Sequence, residues 1–416
     1  MKNKIIMLIL SVALVVSLVL VGCVPEEEAP VEVEVVKIGG VYPLTGPFAP
    51  FGIGDKQAID LALEKINAEG GVRSLGGAKI EVIYADSEGD PAVALTAAER
   101  LITEEGVVAL LGSVLSSTTA TIAPVCERYR IPMVNEGSTS IELTDQGWKY
   151  FFRCTPHDGL YCAAMYDCLD DLAEKTGEEV KTIGLMYENT LFGKTAADVW
   201  KEMAPKYGYE IVADIPYSAR AVDLSSEVVL LKKALPDVIF GATYVEDAIL
   251  IVKTRQALHC DAKAYIAIDG GEIVPSFIEA LGPLSNYIMA EARWSPDLAK
   301  PLAQEVNTEY YARHGVNMDG HSARAYTAAW ALYYAIEDAG SVAPEDIREA
   351  LVNLYVPPEK IIMTWDGIKF DETGQNILGT PCIVQILDEE FKTVYPYDIA
   401  AAEAVFPIPT WAERGL

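Results

Sequence analysis

From Val35 to Ile268 short apolar runs alternate, almost without a break, with longer segments of helical period. Few architectures accept that alternation. Val35–Val41, Lys79–Ala85, Val107–Leu111 and Ile131–Val134 read as strands. Asp55–Ala68, Pro91–Glu104 and Thr118–Tyr129 read as helices. In the first helix Ile59, Leu63 and Ile66 recur every three or four positions, the spacing of one helical face. Gly70-Gly71 closes it with residues free to turn left-handed. The pattern restarts with a helix over 160–176 and strands at 182–187, 209–216, 238–241 and 264–268, with helices over 193–207, 224–234 and 247–258 between them. Short strands separated by helices of this length predict α/β folding, with parallel sheets covered on both faces. Roughly 380 residues are too many for one core, so two domains are expected. Phe152–His157 is the first candidate hinge. Helices over 301–314, 322–340 and 344–354 follow, then a β-rich tail over 361–393.

In such sheets ligands bind outside the carboxyl ends of the strands. Two strand-to-helix turns there carry hydroxyls: Gly112-Ser-Val-Leu-Ser-Ser-Thr-Thr119 and Asn135-Glu-Gly-Ser-Thr-Ser-Ile-Glu-Leu-Thr144. Hydroxyls and free backbone N–H groups at a helix start can hold an anion such as a carboxylate. Ser116, Ser117, Ser138 and Thr139 are equally suited to capping those helices. Aromatics fall in the same zone: Phe48 and Phe51 after the first strand, Phe192 after the strand ending at Tyr187, Tyr244 after Gly241. Singly each fits a core as well as a ligand wall. Their shared position after strand ends suggests a pocket between two domains.

At the amino terminus, Lys2 and Lys4 precede the apolar stretch Ile5–Val21, then Gly22 and Cys23. This is the layout of an export signal over residues 1–22. An uncleaved membrane anchor is the second choice. A Pro- and Glu-rich segment follows and reads as a tether over 23–35. The chain holds 61 acidic against 32 basic side chains, a net charge of −29, and loses Lys2 and Lys4 with the signal. Such a surface repels nucleic acid. Six cysteines remain besides Cys23, at 126, 154, 162, 168, 260 and 382, spaced too irregularly to define a disulfide framework.

Catalytic and cofactor motifs are sparse. Cys154 and His157 lack two further ligands at zinc-like spacing. No G-x-S-x-G elbow or phosphate loop occurs, and Gly52-Ile-Gly54 lacks the third glycine of a dinucleotide turn. The sequence therefore implies a binding protein without cofactor or metal, not an enzyme. A secreted hydrolase using rim carboxylates is the rival reading.

Taken in order, Gly39-Gly-Val-Tyr-Pro-Leu-Thr-Gly-Pro47, Glu64-Lys-Ile-Asn-Ala-Glu-Gly-Gly71, the two hydroxyl-bearing turns, Phe152-Arg-Cys-Thr-Pro-His-Asp158, Leu191-Phe-Gly193 and Ala323-Arg-Ala-Tyr326 resemble the leucine/isoleucine/valine-binding family, the type I extracytoplasmic solute receptors of ABC transporters. The resemblance runs from about Val36 to about Asp388. It implies two Rossmann-like lobes with parallel central sheets, 36–156 plus 292–366 and 157–291 plus 367–416, closing on a small solute. It further implies that Leu115, Ser116, Ser117, Gly137, Ser138 and Thr139 meet a ligand carboxylate. Phe51, Phe192 and Tyr244 would form the aromatic wall. Phe51 stands where amino-acid binders of the family carry tyrosine. The acid facing a ligand amine belongs in the loop after Ile268, where Asp269-Gly-Gly-Glu272 offers two; Asp269, nearer the strand end, is the expected one. Leu20-Val-Gly-Cys23 resembles a lipobox, which implies a bacterial membrane anchor through lipidated Cys23. The implied partners are an amino acid or related solute and ABC permease subunits. A sensor on the same fold, feeding a signalling partner, is the alternative.

Overall fold

A computed structural model describes residues 33–416; the expected signal, Cys23 and nearly all of the tether lie outside the described residues. The first half builds β1 (Val35–Tyr42), α1 (Ala49–Ala68), β2 (Lys79–Asp86), α2 (Pro91–Thr103), β3 (Leu110–Gly112), α3 (Ser116–Tyr129), β4 (Met133–Asn135) and β5 (Phe151–Arg153). These strands form one parallel sheet in the order β2-β1-β3-β4-β5. The chain then makes α4 (Asp158–Thr176), β6 (Thr182–Glu188), α5 (Leu191–Tyr207), β7 (Glu210–Tyr217), α6 (Ser225–Ala234), β8 (Val238–Ala242), α7 (Val245–Ala257), β9 (Ala264–Ala267), α8 (Pro275–Leu281) and β10 (Met289–Glu291). It continues through α9 (Pro301–His314), α10 (Gly320–Ala339), α11 (Pro344–Asn353), the short pair β11 (Tyr355–Val356) and β12 (Ile368–Lys369), and the hairpin β13 (Ile383–Leu387) and β14 (Glu390–Tyr395). The second sheet runs β14-β13-β10-β9-β8-β6-β7. It is parallel from β7 to β10 and antiparallel where β13 and β14 join.

The result is the two-lobed α/β architecture with parallel central sheets that the alternation predicts. In each lobe sequence order and spatial order part company once, between β1 and β3 and between β6 and β8. At such a switch point the turns on either side diverge to opposite faces and leave a crevice. Register places Gly112 beside Val41, and Val134 beside Leu111, so the first two rim turns leave the sheet side by side. Apolar clusters back each sheet. Leu101, Leu110, Ile122 and Met133 pack in the first lobe, and Met186, Ile239, Ile251 and Phe277 in the second. Helix α10 lies along α1, an approach allowed by its run of buried alanines (Ala325, Ala328, Ala329, Ala331, Ala335). Asp319 and Ser322 close its start with a capping box.

Six helix starts, those of α1, α3, α4, α5, α7 and α10, fall earlier than the sequence suggests, and the corrections at α1 and α5 shape the site. Helix α1 begins at Ala49, not Asp55, because Pro50 sits in the first turn, where its missing N–H costs nothing. Gly52 is needed there: a Cβ would come within 2.1 Å of the Pro43 carbonyl oxygen. Helix α5 begins at Leu191, and a Cβ on Gly193 would come within 2.0 Å of the Glu188 carbonyl oxygen. Each lobe thus draws a helix start tight onto a strand end through a Phe-Gly pair, Phe51-Gly52 and Phe192-Gly193. The strands β5 and β10 and helix α8 escape the sequence reading, being too short to show a period.

Candidate functional site

The turns after β1, β3 and β4 in one lobe face those after β6, β8 and β9 in the other. Between them lies a nearly filled cavity of about 20 Å³, far smaller than a drug-sized site. Phe51, Val114, Ser116, Gly137 and Thr139 line it from the first lobe, Phe192, Tyr244, Asp269 and Gly270 from the second, and His321 from the first turn of α10. Seven of the ten residues expected to touch a ligand are therefore on its wall. Leu115, Ser117 and Ser138 are not.

The reasons are local. Leu115 is the N-cap residue of α3, and no side chain caps that helix. The hydroxyls of Ser116 and Ser117 are not its caps, so the first-turn N–H groups lack the acceptor a capping side chain would supply. Ser138 turns inward: its Oγ bonds the carbonyls of Ser113 (2.9 Å) and Val114 (3.2 Å) and the Thr119 hydroxyl (2.7 Å), tying the two turns together. The next residue, Thr139, lines the cavity, and its buried hydroxyl makes no close hydrogen bond in the protein while lying beside the Asp158 carboxyl, whose anion it favours. Ser116 Oγ accepts a bond from the Ser140 amide at 3.3 Å. Beneath the turn, the buried Arg153 guanidinium donates to the Ser140 carbonyl (2.6 Å), the Ser138 carbonyl (3.4 Å), the Thr144 hydroxyl (3.0 Å) and Gln375 (2.7 Å). Gly137 must be glycine for space, since a Cβ would lie 2.5 Å from the Val114 Cα.

Across the cavity the aromatic residues meet. The Tyr244 ring centroid lies 5.6 Å from Phe192, 6.1 Å from Phe51 and 4.9 Å from Phe48, so residues of both lobes share one apolar wall. The ring of His321 stands edge-on to Phe51 at 4.7 Å. Burial pushes His321 down to about 3, which leaves it neutral near pH 7 and part of that wall.

Of the two acids after β9, only Asp269 reaches the cavity. Glu272 is fully buried elsewhere, accepting bonds from Thr243 Oγ1 and the Tyr265 hydroxyl, each at 2.7 Å. Burial alone would raise the Asp269 carboxyl, but the charges of Arg293 and then Arg324 outweigh it and hold it below the ordinary carboxylate range. Arg293 ion-pairs with Oδ2, and Arg324 Nη1 stands 3.7 Å from the same oxygen. Oδ1 makes no hydrogen bond in the protein and faces His321 Nε2 at 3.5 Å. Val114, Gly270 and His321 were missed by sequence reasoning. His321 alone had a signal, its place just inside a capped helix start, and nothing in the sequence aims that start at the cleft.

Burial pushes Glu272 up to about 7, against the bonds from Tyr265 and Thr243 that favour its anion. Its pKa is higher folded than unfolded, so the native state binds the proton more tightly. The stability this proton contributes is complete below the ordinary glutamate value and declines as pH rises from about 4.5 to about 7. Glu272→Gln is expected to remove that part of the slope in urea unfolding midpoints measured from pH 4 to pH 8.

The arrangement provides a helix start and a free hydroxyl for an anion, an ionised acid with a free oxygen for an N–H donor, and an aromatic wall for an apolar group. Residues 35–377 match the periplasmic binding protein family. The chain belongs to that family. A Leu/Ile/Val-binding protein homologue from Brucella suis biovar 1 (strain 1330) is 27% identical over 408 residues, covering 95% of this chain and 98% of the relative. Among solved structures, a leucine-binding protein (LivK) from Thermotoga maritima superposes with a TM-score of 0.77 at 24% identity, over 86% of this chain and 97% of that one. A solute-binding protein from R. palustris in complex with benzoate gives a TM-score of 0.75 at 18% identity, over 89% and 98%. Both share the two-lobed fold. As a periplasmic binding protein it belongs to a family that implies a place outside the cytoplasm. No described helix is long and apolar enough to cross a membrane.

Proposed function

We propose that the chain is the solute-binding subunit of an ABC importer, lipid-anchored through Cys23, that captures a branched-chain-type amino acid or a related small carboxylate or amide by closure of its lobes. One observation carries the ligand half of this reading: the cavity holds two unpartnered polar groups of opposite need, the Thr139 hydroxyl and Asp269 Oδ1. The α3 start, Ser116 and Thr139 take the carboxylate on one lobe. Asp269 takes the N–H donor on the other, and Phe51, Phe192 and Tyr244 enclose the side chain. A solute bound in this way touches both lobes, so its affinity is higher for the closed form, and that difference drives closure. Closing a largely open population nearly completely takes a preference of about 10⁴-fold. The membrane permease then reads the closed shape. The relatives named above support both the transporter class and the breadth of ligand, leucine for one and benzoate for another; the free oxygen on Asp269 favours an N–H-bearing solute here.

Isothermal titration tests it, using protein stripped of solute by unfolding and refolding. Amino acids, amides and monocarboxylates of matched size form the panel. One class is expected to bind with a Kd of about 1 μM or tighter, equivalent to about 8 kcal/mol. A correctly refolded protein that binds none of them contradicts the proposal.

A further inference from the structure

Arg293 touches no solute-facing surface, yet the site is built around it. It follows β10 with φ +59, a backbone conformation that L residues seldom adopt, and it is wholly buried. Its guanidinium pairs with Asp269 Oδ2 and lies 4.4 Å from the ring centroid of Tyr161, while its Nε stands 3.5 Å from Glu291 Oε2. Asp269 is itself held at φ +28, so the loop does not aim this carboxylate by preference.

Arg293 also sits where the segments running between the lobes meet. Tyr161, on whose ring it leans, shares through its hydroxyl a 2.6 Å bond with Thr155, in the stretch leaving β5. Gln375 donates to the Thr155 carbonyl at 2.9 Å, and Thr364 donates to the Arg293 carbonyl at 3.1 Å; both lie on the stretch returning to β13. Arg293 lies directly after β10, where the chain leaves the second sheet for α9 and α10. A change at the crossovers therefore reaches Asp269 through Arg293, and by a second route through Arg324, whose Nη1 stands 3.5 Å from the Thr155 hydroxyl and 3.7 Å from Asp269 Oδ2.

We propose that Arg293 is the positioning residue of the site, fixing one oxygen of Asp269 so that the other faces an N–H donor of the solute, and tying that contact to the strands that join the lobes. This rests on the reading of the cavity as a solute site with Asp269 as its acceptor. A planar guanidinium is suited to the role because it faces Asp269 through one nitrogen and Glu291 through another, which an ammonium point charge cannot do in the same way.

Two measurements decide it, each on Arg293→Gln and Arg293→Lys beside the unaltered protein. The first follows the Asp269 carboxyl by carbon NMR of aspartate-labelled protein without solute. The groups that act on Asp269 are Arg293 and Glu291, Arg324 and His321 of α10, Tyr161 and Asp158 of α4, Tyr244, and Asp55 of α1. In the unaltered protein it should stay ionised throughout pH 5–8; in Arg293→Gln its titration should move into that window. The second compares titrations with L-leucine and with 4-methylpentanoate, which is leucine without its amine. Arg293→Gln should weaken leucine binding by about 10- to 100-fold at pH 7 and further at pH 5, and change 4-methylpentanoate by less than about threefold. Arg293→Lys, which keeps the charge without the fork, should lose leucine affinity while keeping a pH-independent profile. That variant decides the matter if the glutamine variant does not fold. An unmoved Asp269 titration, or equal losses for both probes, overturns the proposal. So does an unaltered protein that binds the two probes equally, and this last result leaves the solute-receptor reading standing. Failure of the unaltered protein to bind either probe or any compound of the wider panel contradicts that broader reading, and with it the proposal.

Discussion

Replacing Asp269 with asparagine is expected to weaken binding of an amine-bearing solute by about 100-fold or more, the usual cost of removing one member of a buried charge pair. Asparagine keeps the size of the side chain and removes its charge. The effect will not be uniform across solutes. Arg293 and Arg324, both fully buried, would lose the carboxylate they share. The cluster then becomes more positive beside the cavity, which favours a solute that is a simple anion. Asp269→Asn is therefore expected to lose leucine while holding or gaining affinity for 4-methylpentanoate. Titrations with the two compounds, corrected for the folded fraction, show whether this crossover occurs. A parallel loss for both would mean that Asp269 serves the fold and not the solute.

Arg153→Met is expected to be the most destabilising single change near the site, lowering the unfolding free energy by about 3–5 kcal/mol. The side chain is fully buried and donates to four groups, two of them the carbonyls on either side of Thr139. Burial pulls its pKa down to about 10, against Asp158 and its other acidic neighbours, so it remains a cation at neutral pH. Methionine fills much of the volume but leaves the Ser140 carbonyl and Gln375 without their donor in a region closed to water. The urea midpoint should fall with an unchanged denaturant slope. Solute binding by the folded fraction should weaken as well, since the same bonds aim the Thr139 hydroxyl into the cavity.

Much of the architecture was legible because it depends on periodicity. Ile59, Leu63 and Ile66 declare a helix face whatever lies beyond them, and two restarting sets of strands and helices imply two parallel sheets. The rim turns could be found for the same reason, since the ends of strands are visible in the sequence. What escaped is direction. Ser138 and Thr139 are neighbours of like chemistry, yet one hydroxyl is spent on the Ser113 carbonyl and the other is free in the cavity. Asp269 and Glu272 are three residues apart, and which one faces the cleft depends on Thr243, Tyr265 and Arg293, fixed by the fold and remote in sequence from at least one of them. His321 and Arg324 enter the site from α10, some fifty residues beyond the acid they approach. No local pattern encodes such meetings. The Phe-Gly pairs are an intermediate case: Phe51 and Phe192 were found as aromatics after strands, while the role of their glycines in seating the helices emerged only from the distances to Pro43 and Glu188.

The central claim is that a small solute bridges the two lobes and closes them. Small-angle X-ray scattering of solute-free protein, before and after addition of the tightest-binding compound of the titration panel, tests this most directly. A smaller radius of gyration is expected on addition, and no such change for Asp269→Asn with an amine-bearing solute at the same concentration. A radius unchanged at saturating solute, in protein shown by titration to be bound, would contradict it.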